Sequence, residues 1–272
     1  MRIKEMIVQS AARLKQVTDI PQKEAMILLA HHLGKEMSWL MGHGEEDVNV
    51  PLAYEQALLR RQKHEPLEYI LAQAHFYARD FYVDKRVLIP RPETELLVDH
   101  AISLAKSLPK NAHIVEIGCG SGIISIMLAL MLEDMKITAV DISEYALAVS
   151  RINAKKHGVE EKISFVQSSY LDAISSPIDM VVSNPPYIAD DEPLGEGLEY
   201  EPSLALYGGR RGDEMLCHII DLFQERHAGV LLCEMGYDQR MPISGYCALK
   251  GLGVQFYKDF AGLDRGFWIK ER

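Results

Sequence analysis

Hydrophobic positions in the first seventy residues recur with the period of an α-helix. Ile3, Ile7 and Leu14 fall on one face of the first predicted helix. A second helix is predicted over 21–34, because proline favours the first helical position and glycine favours the end. A third is predicted over 51–64, with basic residues in its last turn. Three or four such short amphipathic helices predict a small bundle.

The pattern changes over residues 76–89, which are rich in aromatic and β-branched side chains. This composition predicts a short β-hairpin that joins two domains. We therefore expect an N-terminal helical domain over 1–74, a hairpin linker over 75–92 and a second domain over 93–272.

Helix-like and strand-like stretches alternate through the second domain. Its first helix is predicted to begin with Thr94 as the N-cap, because Leu97 and Ala101 then lie on one face. The strand candidates are 113–117, 137–140, 163–166, 179–182, 229–233 and 254–258. Such alternation predicts an α/β fold, in which a mostly parallel sheet is covered by helices on both faces.

The composition is that of a folded protein with a proper core. Hydrophobic residues make up 48% and charged residues 25% of the 272, which excludes disorder, collagen and coiled coil for the whole chain. The longest uncharged apolar stretch, 123–132, is too short to cross a bilayer, and residues 1–10 lack the pattern of an export signal. The four cysteines are scattered, so we expect reduced thiols, a cytoplasmic protein and no membrane contact.

The charge narrows the range of partners. With 29 basic and 39 acidic side chains, the formal charge is −10. Binding to a duplex depends on Lys and Arg that neutralise phosphates, so this charge argues against a direct duplex-DNA partner. Six carboxylates within 190–201 indicate a solvated loop or, alternatively, a lid that attracts a basic substrate surface. The ten histidines form no metal-binding motif, and we expect no metal site.

The first candidate for chemistry is a glycine-rich loop after the first strand of the second domain. Glu116 precedes the pattern Gly-x-Gly-x-Gly over 118–122, and a helix follows. Glycines let the backbone approach a ligand closely, and a helix N-terminus offers unpaired N–H groups. Asp141 ends the next strand, 21 residues beyond Gly120, where a carboxylate can accept hydrogen bonds from both hydroxyls of a ribose.

This loop departs from the dinucleotide-binding fingerprint, because Ile123 stands where that fingerprint requires its third glycine. The order acidic-x-Gly-x-Gly-x-Gly resembles instead the loop of class I methyltransferases. Those enzymes have a Rossmann-like fold and bind S-adenosylmethionine. The resemblance implies S-adenosylmethionine as the cofactor.

The second candidate directly follows the predicted strand 179–182. It is the turn Asn184-Pro185-Pro186-Tyr187, which is stiff because two prolines fix φ and supply no N–H donors. Ligands of open α/β sheets bind beyond the carboxyl ends of the strands. The turn is therefore expected to face the same crevice as the glycine loop.

The turn offers two hydrogen-bond acceptors, the side-chain oxygen of Asn184 and the carbonyl oxygen of Pro185. Together they can grip both hydrogens of a planar –NH2 group and aim its developing lone pair at a sulfonium methyl group. Tyr187 adds an aromatic face for a planar substrate. Alignment of this kind needs no charged base. Adenine, cytosine and the side-chain amide of Asn or Gln all fit, so the turn alone leaves the substrate open.

Further segments carry a family resemblance, namely 88–95, 200–209, 233–236 and the pairs 258–259 and 264–265. Together they resemble the HemK/PrmC family, the protein glutamine N5-methyltransferases of peptide chain release factors. The order of helical domain, hairpin and methyltransferase domain also matches, and the resemblance covers essentially the whole chain. It implies methyl transfer to the glutamine in the Gly-Gly-Gln motif of release factors, with the helical domain as the docking surface.

The resemblance also implies the roles of individual residues. Catalysis would fall to Asn184, Pro185 and Tyr187. The substrate would be bound by Asn184, Pro185, Pro186 and Tyr187, with Leu88 at the entrance for the glutamine stem. Cofactor contacts would fall on Glu116, Ile117, Gly118, Cys119, Gly120, Asp141, Tyr170 and Asn184. In two places the chain departs from the family, which usually has Asp at 116 and an acidic residue at 169. The resemblance still implies the same cofactor, and these two departures leave the affinity for it open.

Two alternatives stay open at this stage. The first is an N6-adenine or related nucleic-acid amino methyltransferase that uses the same turn. Such an enzyme captures a base with a basic surface, and the basic cluster Arg60, Arg61 and Lys63 is small for that task. The second is a binding protein without turnover, which only the departures at Glu116 and Ser169 suggest.

Overall fold

The computed structural model describes residues 1–271 and divides them into two compact units. The first unit contains Met1–Gln73 together with Gly195–Tyr200. Its helices are α1 (Ile3–Leu14), α2 (Pro21–Leu33), α3 (Met37–Gly42), α4 (Leu52–Arg61) and α5 (Leu67–Leu71). The helical bundle that the sequence predicts for the N-terminal part is confirmed.

An apolar core holds the first unit together. Leu14, Leu28 and Leu58 come from three different helices and are fully buried. The hydroxyl groups of Ser10 and Tyr54 share a hydrogen bond of 2.6 Å within this core. The helical period places Ser10 on the buried face of α1, and Tyr54 satisfies its hydroxyl there.

The short segment Gly195–Tyr200 belongs to the first unit although it lies far along the chain. The hydroxyl of Tyr200 donates to the backbone carbonyl of Lys63 at 2.7 Å, and a carboxylate oxygen of Glu196 lies 3.0 Å from Nδ1 of His64. A boundary predicted from local composition placed this segment in the second domain. Contacts between distant parts of the chain assign it to the first unit instead.

The second unit comprises 74–194 and the described residues from 201 onward. It begins with the hairpin strands β1 (Ala74–Phe76) and β2 (Arg79–Phe81), which were expected as a linker. Its helices are α6 (Thr94–Ala105), α7 (Ile123–Met131), α8 (Glu144–Lys156), α9 (Glu214–Glu225) and α10 (Arg240–Leu249). Its other strands are β3 (His113–Ile117), β4 (Lys136–Asp141), β5 (Ile163–Gln167), β6 (Met180–Ser183), β7 (Ile188–Ala189), β8 (Tyr207–Gly209), β9 (Val230–Glu234), β10 (Val254–Lys258) and β11 (Asp264–Lys270).

Seven strands form the central sheet in the order β10-β11-β9-β6-β3-β4-β5. The five strands from β9 to β5 in this order are parallel, so the predicted α/β fold with a mostly parallel sheet is confirmed. The sequence pattern did not indicate β11, which is antiparallel to both β9 and β10. Gly266 weakens its strand pattern, but glycine is required because an added Cβ would lie 2.2 Å from the hydroxyl of Tyr257.

Helices cover both faces of the sheet. Side chains of α6, α7 and α8 share one core with the sheet, and those of α9 and α10 share the other. In β6, Met180 and Val182 contact the first core and Val181 contacts the second, as the two-residue period of a strand requires. Burial on both faces explains the continuous apolar runs of these strands. Within residues 1–271, no helix combines the length and the apolar composition needed to cross a bilayer.

Helix α6 begins differently from the prediction. Its N-cap is Glu93, and Thr94 is the first helical residue. The backbone already turns before the helix, since the N–H of Thr94 donates to the carbonyl of Arg91 at 3.1 Å. The hydroxyl of Thr94 is therefore not used for capping and is free to serve another group.

Candidate active site

The order of the sheet reverses between β3 and β6. From β3 the chain adds β4 and β5 on one side, and later β6 and β9 on the other. Ile117 and Ser183 lie side by side at the ends of these two central strands. The glycine loop and the Asn-Pro-Pro-Tyr turn leave the sheet at this point. Such a reversal is where open α/β sheets bind their ligands.

A pocket opens at this edge of the sheet. Eleven of the predicted site residues line this pocket: Leu88, Glu116, Ile117, Gly118, Cys119, Gly120, Asp141, Tyr170, Asn184, Pro185 and Pro186. Tyr187, which was predicted to take part in catalysis, is not among the lining residues. Thr94, Arg91 and Leu204 also line the pocket, although the local sequence pattern indicated no site role for them.

The backbone of the glycine loop has positive φ at its glycines, a conformation that glycine adopts most readily. Gly118, Gly120 and Gly122 have φ of 72°, 53° and 81°. At Gly122 an added Cβ would lie 2.9 Å from the hydroxyl oxygen of Ser150, so packing also demands glycine there. An added Cβ at Gly118 or Gly120 would meet no atom within 4 Å. These two residues therefore leave open space for a ligand beside the backbone.

Asp141 holds the glycine loop from the end of β4. Its Oδ2 accepts a hydrogen bond from the N–H of Gly120 at 2.9 Å, and its Oδ1 accepts one from the N–H of Ser143 at 2.9 Å. Burial raises the pKa of Asp141, and these two N–H donors oppose that shift. Each carboxylate oxygen keeps a further lone pair for a ligand hydroxyl.

Glu116 is buried at the end of β3 and caps the helix that follows the loop. Its Oε2 accepts hydrogen bonds from the N–H of Ser125, at 2.8 Å, and from the Ser125 hydroxyl. A negative charge at a helix N-terminus is favourable. Burial nevertheless raises the pKa of Glu116 to about 8.

The stability of the ligand-free protein should fall as the pH rises from about 5 to about 8. Folded Glu116 keeps its proton up to a pKa of about 8, whereas the unfolded glutamate releases it near its ordinary value, so deprotonation favours unfolding. Glu116→Gln removes this penalty. Thermal melts at both ends of the pH range measure this effect. On going from low to high pH, the free energy of unfolding of the variant should rise relative to that of the wild type by about 3 kcal/mol.

The matched control for this prediction is Glu133→Gln at an exposed position. It should track the wild type at every pH. Equal responses of the two variants to pH would contradict the assignment to Glu116.

The side chain of Asn184 has a fixed neighbour. Its Nδ2 donates a hydrogen bond to the hydroxyl oxygen of Thr94 at 3.1 Å. Because the nitrogen and the oxygen of an amide point in different directions, Oδ1 is left for another partner. The Thr94 hydroxyl thus accepts a hydrogen bond from Asn184 instead of capping the N-terminus of α6.

Residues that the sequence pattern did not indicate hold the backbone after the turn. Nε2 of Gln239 donates to the carbonyl oxygens of Tyr187, at 3.2 Å, and of Gly212, at 2.9 Å. An added Cβ at Gly208 would lie 2.5 Å from the carbonyl oxygen of Pro186. Glycine in β8 is therefore required so that this strand can approach the turn.

Three other predicted site residues are held in the neutral form. Burial raises the pKa of Tyr187 to about 12 and raises the pKa of Tyr170 as well. Tyr170 packs edge-on against the ring of His218, with 4.5 Å between the centroids. Burial raises the pKa of the Cys119 thiol well above its usual range, so the thiol stays protonated, the form that is a poor nucleophile.

A buried carboxylate connects two segments of the pocket wall. Glu201 accepts a hydrogen bond from the N–H of Ile89 at 2.9 Å and pairs with the guanidinium group of Arg91. It is 6% exposed, whereas the other five carboxylates of 190–201 are exposed. The acidic segment is therefore not one uniform loop, because Glu201 stabilises the pocket wall.

The charges of the pocket fit a cationic ligand. Glu116 and Asp141 line it, whereas its two basic residues, Arg86 and Arg91, are each already ion-paired with a carboxylate. Among the lining residues, a pyrophosphate would find no unpaired cation. The sulfonium and ammonium groups of S-adenosylmethionine would meet the carboxyl group of Asp141 and that of Glu116, whose ionised form an approaching cation would favour. The donor set thus fits this cofactor better than a dinucleotide.

Two protein-family models match the chain. One, described as the methyltransferase small domain, matches residues 93–195. The other, described as the PrmC N-terminal domain, matches residues 5–71.

Curated proteins similar to the chain include a release factor glutamine methyltransferase from Chlorobaculum tepidum. It is 39% identical over 264 residues, which cover 91% of this chain and 90% of the relative. A bifunctional methyltransferase from Rickettsia bellii is 35% identical over 277 residues and covers 89% of this chain, but the chain spans only 50% of that relative.

Solved structures show the same fold. The hMettl16 catalytic domain in complex with a MAT2A 3'UTR hairpin has a TM-score of 0.57 and 13% identity, and 84% of each chain is covered. Identity at that level supports a shared methyltransferase fold and nothing finer.

Proposed function

The chain belongs to the release factor glutamine methyltransferase family, and we propose that it methylates the glutamine in the Gly-Gly-Gln motif of peptide chain release factors. It is an S-adenosylmethionine-dependent protein methyltransferase. The proposed acceptor atom is the side-chain amide nitrogen, N5, of that glutamine.

The orientation of Asn184 carries the proposal. Its Nδ2 is committed to Thr94, so Oδ1 is the atom that can accept a hydrogen bond from a ligand in the pocket. Pro185 supplies the second acceptor through its carbonyl group and has no N–H that could repel a donor. Two acceptors and no donor are the complement of a primary amide –NH2 group.

The chain's task in the reaction is to align a weak nucleophile. Resonance with the carbonyl delocalises the lone pair of an amide nitrogen. In our proposal, Asn184 Oδ1 and Pro185 O each accept a hydrogen bond from one N–H of the substrate amide. These two hydrogen bonds favour a pyramidal nitrogen. When bound, S-adenosylmethionine would supply its sulfonium methyl group and leave as the neutral thioether S-adenosylhomocysteine, and the methylated nitrogen would release one of its two protons to solvent. Alignment can lower such a barrier by roughly 7–11 kcal/mol.

The proposed cofactor contacts follow from the geometry of the loops. Asp141 would use its remaining lone pairs for the ribose hydroxyls. The backbone of Gly118 and Gly120 would lie against the methionine part, and Glu116 would face its ammonium group. Tyr170 would border the adenine.

The proposed substrate contacts lie around the turn. Leu88 and Pro186 line the pocket and would pack on the aliphatic stem of the glutamine. Tyr187 directly follows the lining residue Pro186 but is not itself among the lining residues, and in this proposal its ring borders the path of the substrate side chain.

The nucleic-acid alternative is not favoured. Capture of a base calls for an unpaired basic surface. In the small basic cluster near residue 60, Arg61 pairs with Glu24 at 2.6 Å and Arg60 pairs with Glu65 at 2.5 Å. These carboxylates remove most of the positive charge that would attract phosphates.

Transfer of a labelled methyl group tests the proposed function directly. Purified chain, labelled S-adenosylmethionine and a release factor should give label on the release factor. A release factor with Gln→Ala in its Gly-Gly-Gln motif is the control and should stay unlabelled. Label on DNA or RNA in a parallel reaction, or equal label on both release factors, would contradict the proposal.

A further inference from the structure

Another buried carboxyl group lies behind the turn and has no part in the proposed reaction. Glu234 ends β9 and is 1% exposed. Ser183 lies opposite Cys233 in the parallel strands β6 and β9, so the next residues, Asn184 and Glu234, share one face at the same edge. Among the described residues, none makes a well-formed hydrogen bond to either oxygen of Glu234. A buried carboxyl in that condition is rare and costly.

Two polar side chains face this carboxyl group. The hydroxyl of Thr94 and the amide of Asn184 lie near enough to lower the pKa of Glu234, although burial outweighs them and raises it to about 7. Thr94 is itself buried, and its oxygen already accepts the hydrogen bond from Asn184. Glu234, Thr94 and Asn184 therefore form a polar row, and this row ends at the pocket.

We propose that Glu234 is a positioning residue, which sets the direction of the hydrogen bonds along the polar row and thereby turns Asn184 Oδ1 toward the substrate. The inference rests on the proposed function, in which Oδ1 is the acceptor. An ionised carboxylate has no hydrogen to donate, so in this proposal the Thr94 hydroxyl turns toward Glu234 and donates to it, a hydrogen bond that needs a better-aligned approach than the structure shows. The Thr94 oxygen then accepts from Asn184, as observed.

Protonation of Glu234 allows the row to reverse. The carboxylic acid donates to Thr94, and the Thr94 hydroxyl donates to Oδ1 of Asn184. The amide then presents Nδ2 to the pocket, where it cannot accept a hydrogen from a substrate –NH2 group. The ionised form of Glu234 is thus the form that supports methyl transfer.

Other charged and titratable groups also face Glu234. They are Arg265 on β11, Glu93 before α6, Tyr187 after the turn and Tyr257 on β10. Arg265 favours the ionised form of Glu234, and Glu93 favours the neutral form. Burial raises the pKa of both tyrosines, so neither loses its proton near neutral pH. Burial raises the pKa of Glu234 to about 7, so its protonation state is expected to change near neutral pH.

The rate of methyl transfer at saturating S-adenosylmethionine tests the inference. The kcat of the wild type should rise as the pH increases from about 6 to about 8. Glu234→Gln should lower kcat at the upper pH by roughly tenfold and abolish the rise, with KM for the release factor unchanged. Saturation with cofactor keeps the titration of Glu116 out of the profile, because that residue acts in cofactor binding.

Matched variants separate positioning from a merely structural role. Glu234→Gln removes a buried charge, so its melting temperature at high pH should not fall below that of the wild type. Thr94→Ser keeps the hydroxyl and should keep the pH dependence, whereas Thr94→Val should lose it. The exposed Glu225→Gln should change neither kcat nor the profile. An unchanged rise in Glu234→Gln, or a loss of activity that follows a loss of stability, would overturn the inference.

A measurement without substrate makes the inference independent of the release factor. The side-chain 15N–1H2 resonance of Asn184, assigned by its loss in Asn184→Ala, should shift with a midpoint near the Glu234 pKa of about 7. The shift should vanish in Glu234→Gln. A shift that persists in that variant overturns the inference. Absence of methyl transfer by the wild type contradicts the proposed function alone, and the resonance still decides the role of Glu234.

Discussion

Asn184→Ala should lower the kcat of methyl transfer by about 10³-fold and leave cofactor affinity close to that of the wild type. The substitution removes Oδ1, one of the two acceptors that the proposed mechanism gives to the substrate amide, and the rigid prolines offer no replacement. Asp141 and the glycine loop do not depend on Asn184, so the cofactor site stays intact. Single-turnover transfer to a release factor measures the first effect, and calorimetric titration with S-adenosylmethionine measures the second.

Gln255→Ala is the matched control, because it also removes a side-chain amide, at an exposed position of the second unit. Its turnover should equal that of the wild type. Near-normal turnover of Asn184→Ala would refute the assigned role. A parallel loss of turnover and cofactor affinity would mean that Asn184 acts mainly on the cofactor.

Asp141→Asn should weaken the binding of S-adenosylmethionine by about 100-fold, or about 3 kcal/mol. Both oxygens of Asp141 accept backbone hydrogen bonds, from Gly120 and from Ser143. An amide has only one oxygen, so its –NH2 group would face one of these N–H donors. The glycine loop would lose its fixed shape, and the ribose hydroxyls would lose one acceptor. Equilibrium binding by calorimetry measures the change.

Asp19→Asn repeats this substitution at an exposed position and should bind the cofactor like the wild type. At saturating cofactor, the kcat of Asp141→Asn should lie closer to the wild-type value than its cofactor affinity does, because the turn at Asn184 is unchanged. Unchanged affinity would mean that Asp141 does not contact the cofactor.

The local sequence predicted the parts of the site that depend on backbone conformation. Positive φ at Gly118, Gly120 and Gly122 is a property of glycine, and the stiffness of the turn is a property of two adjacent prolines. The alternation of strand-like and helix-like stretches predicted a parallel sheet. Because ligands of such sheets bind beyond the carboxyl ends of the strands, it also predicted that both loops leave the same edge. These features are encoded within a few neighbouring residues.

The connections between distant segments could not be predicted in the same way. The hydrogen bond from Ile89 to Glu201 spans 112 residues, and that from Asn184 to Thr94 spans 90. Thr94 looked like a helix cap and Glu201 looked like one of six surface carboxylates. Each residue type fits its local pattern in either role, so only burial and the partner distinguish the two.

Periodicity predicted the fold class, and glycine and proline predicted the backbone of the two loops, because these properties act over short distances, whereas the cofactor followed from the resemblance of the glycine loop to class I methyltransferases. Packing between distant segments determined the grouping of Gly195–Tyr200, the insertion of β11 and the absence of Tyr187 from the pocket lining. It also decided that Glu234 stands buried behind Asn184. A buried carboxyl acquires its pKa and its role from the groups packed around it, and those groups come from strands and helices far apart in the chain.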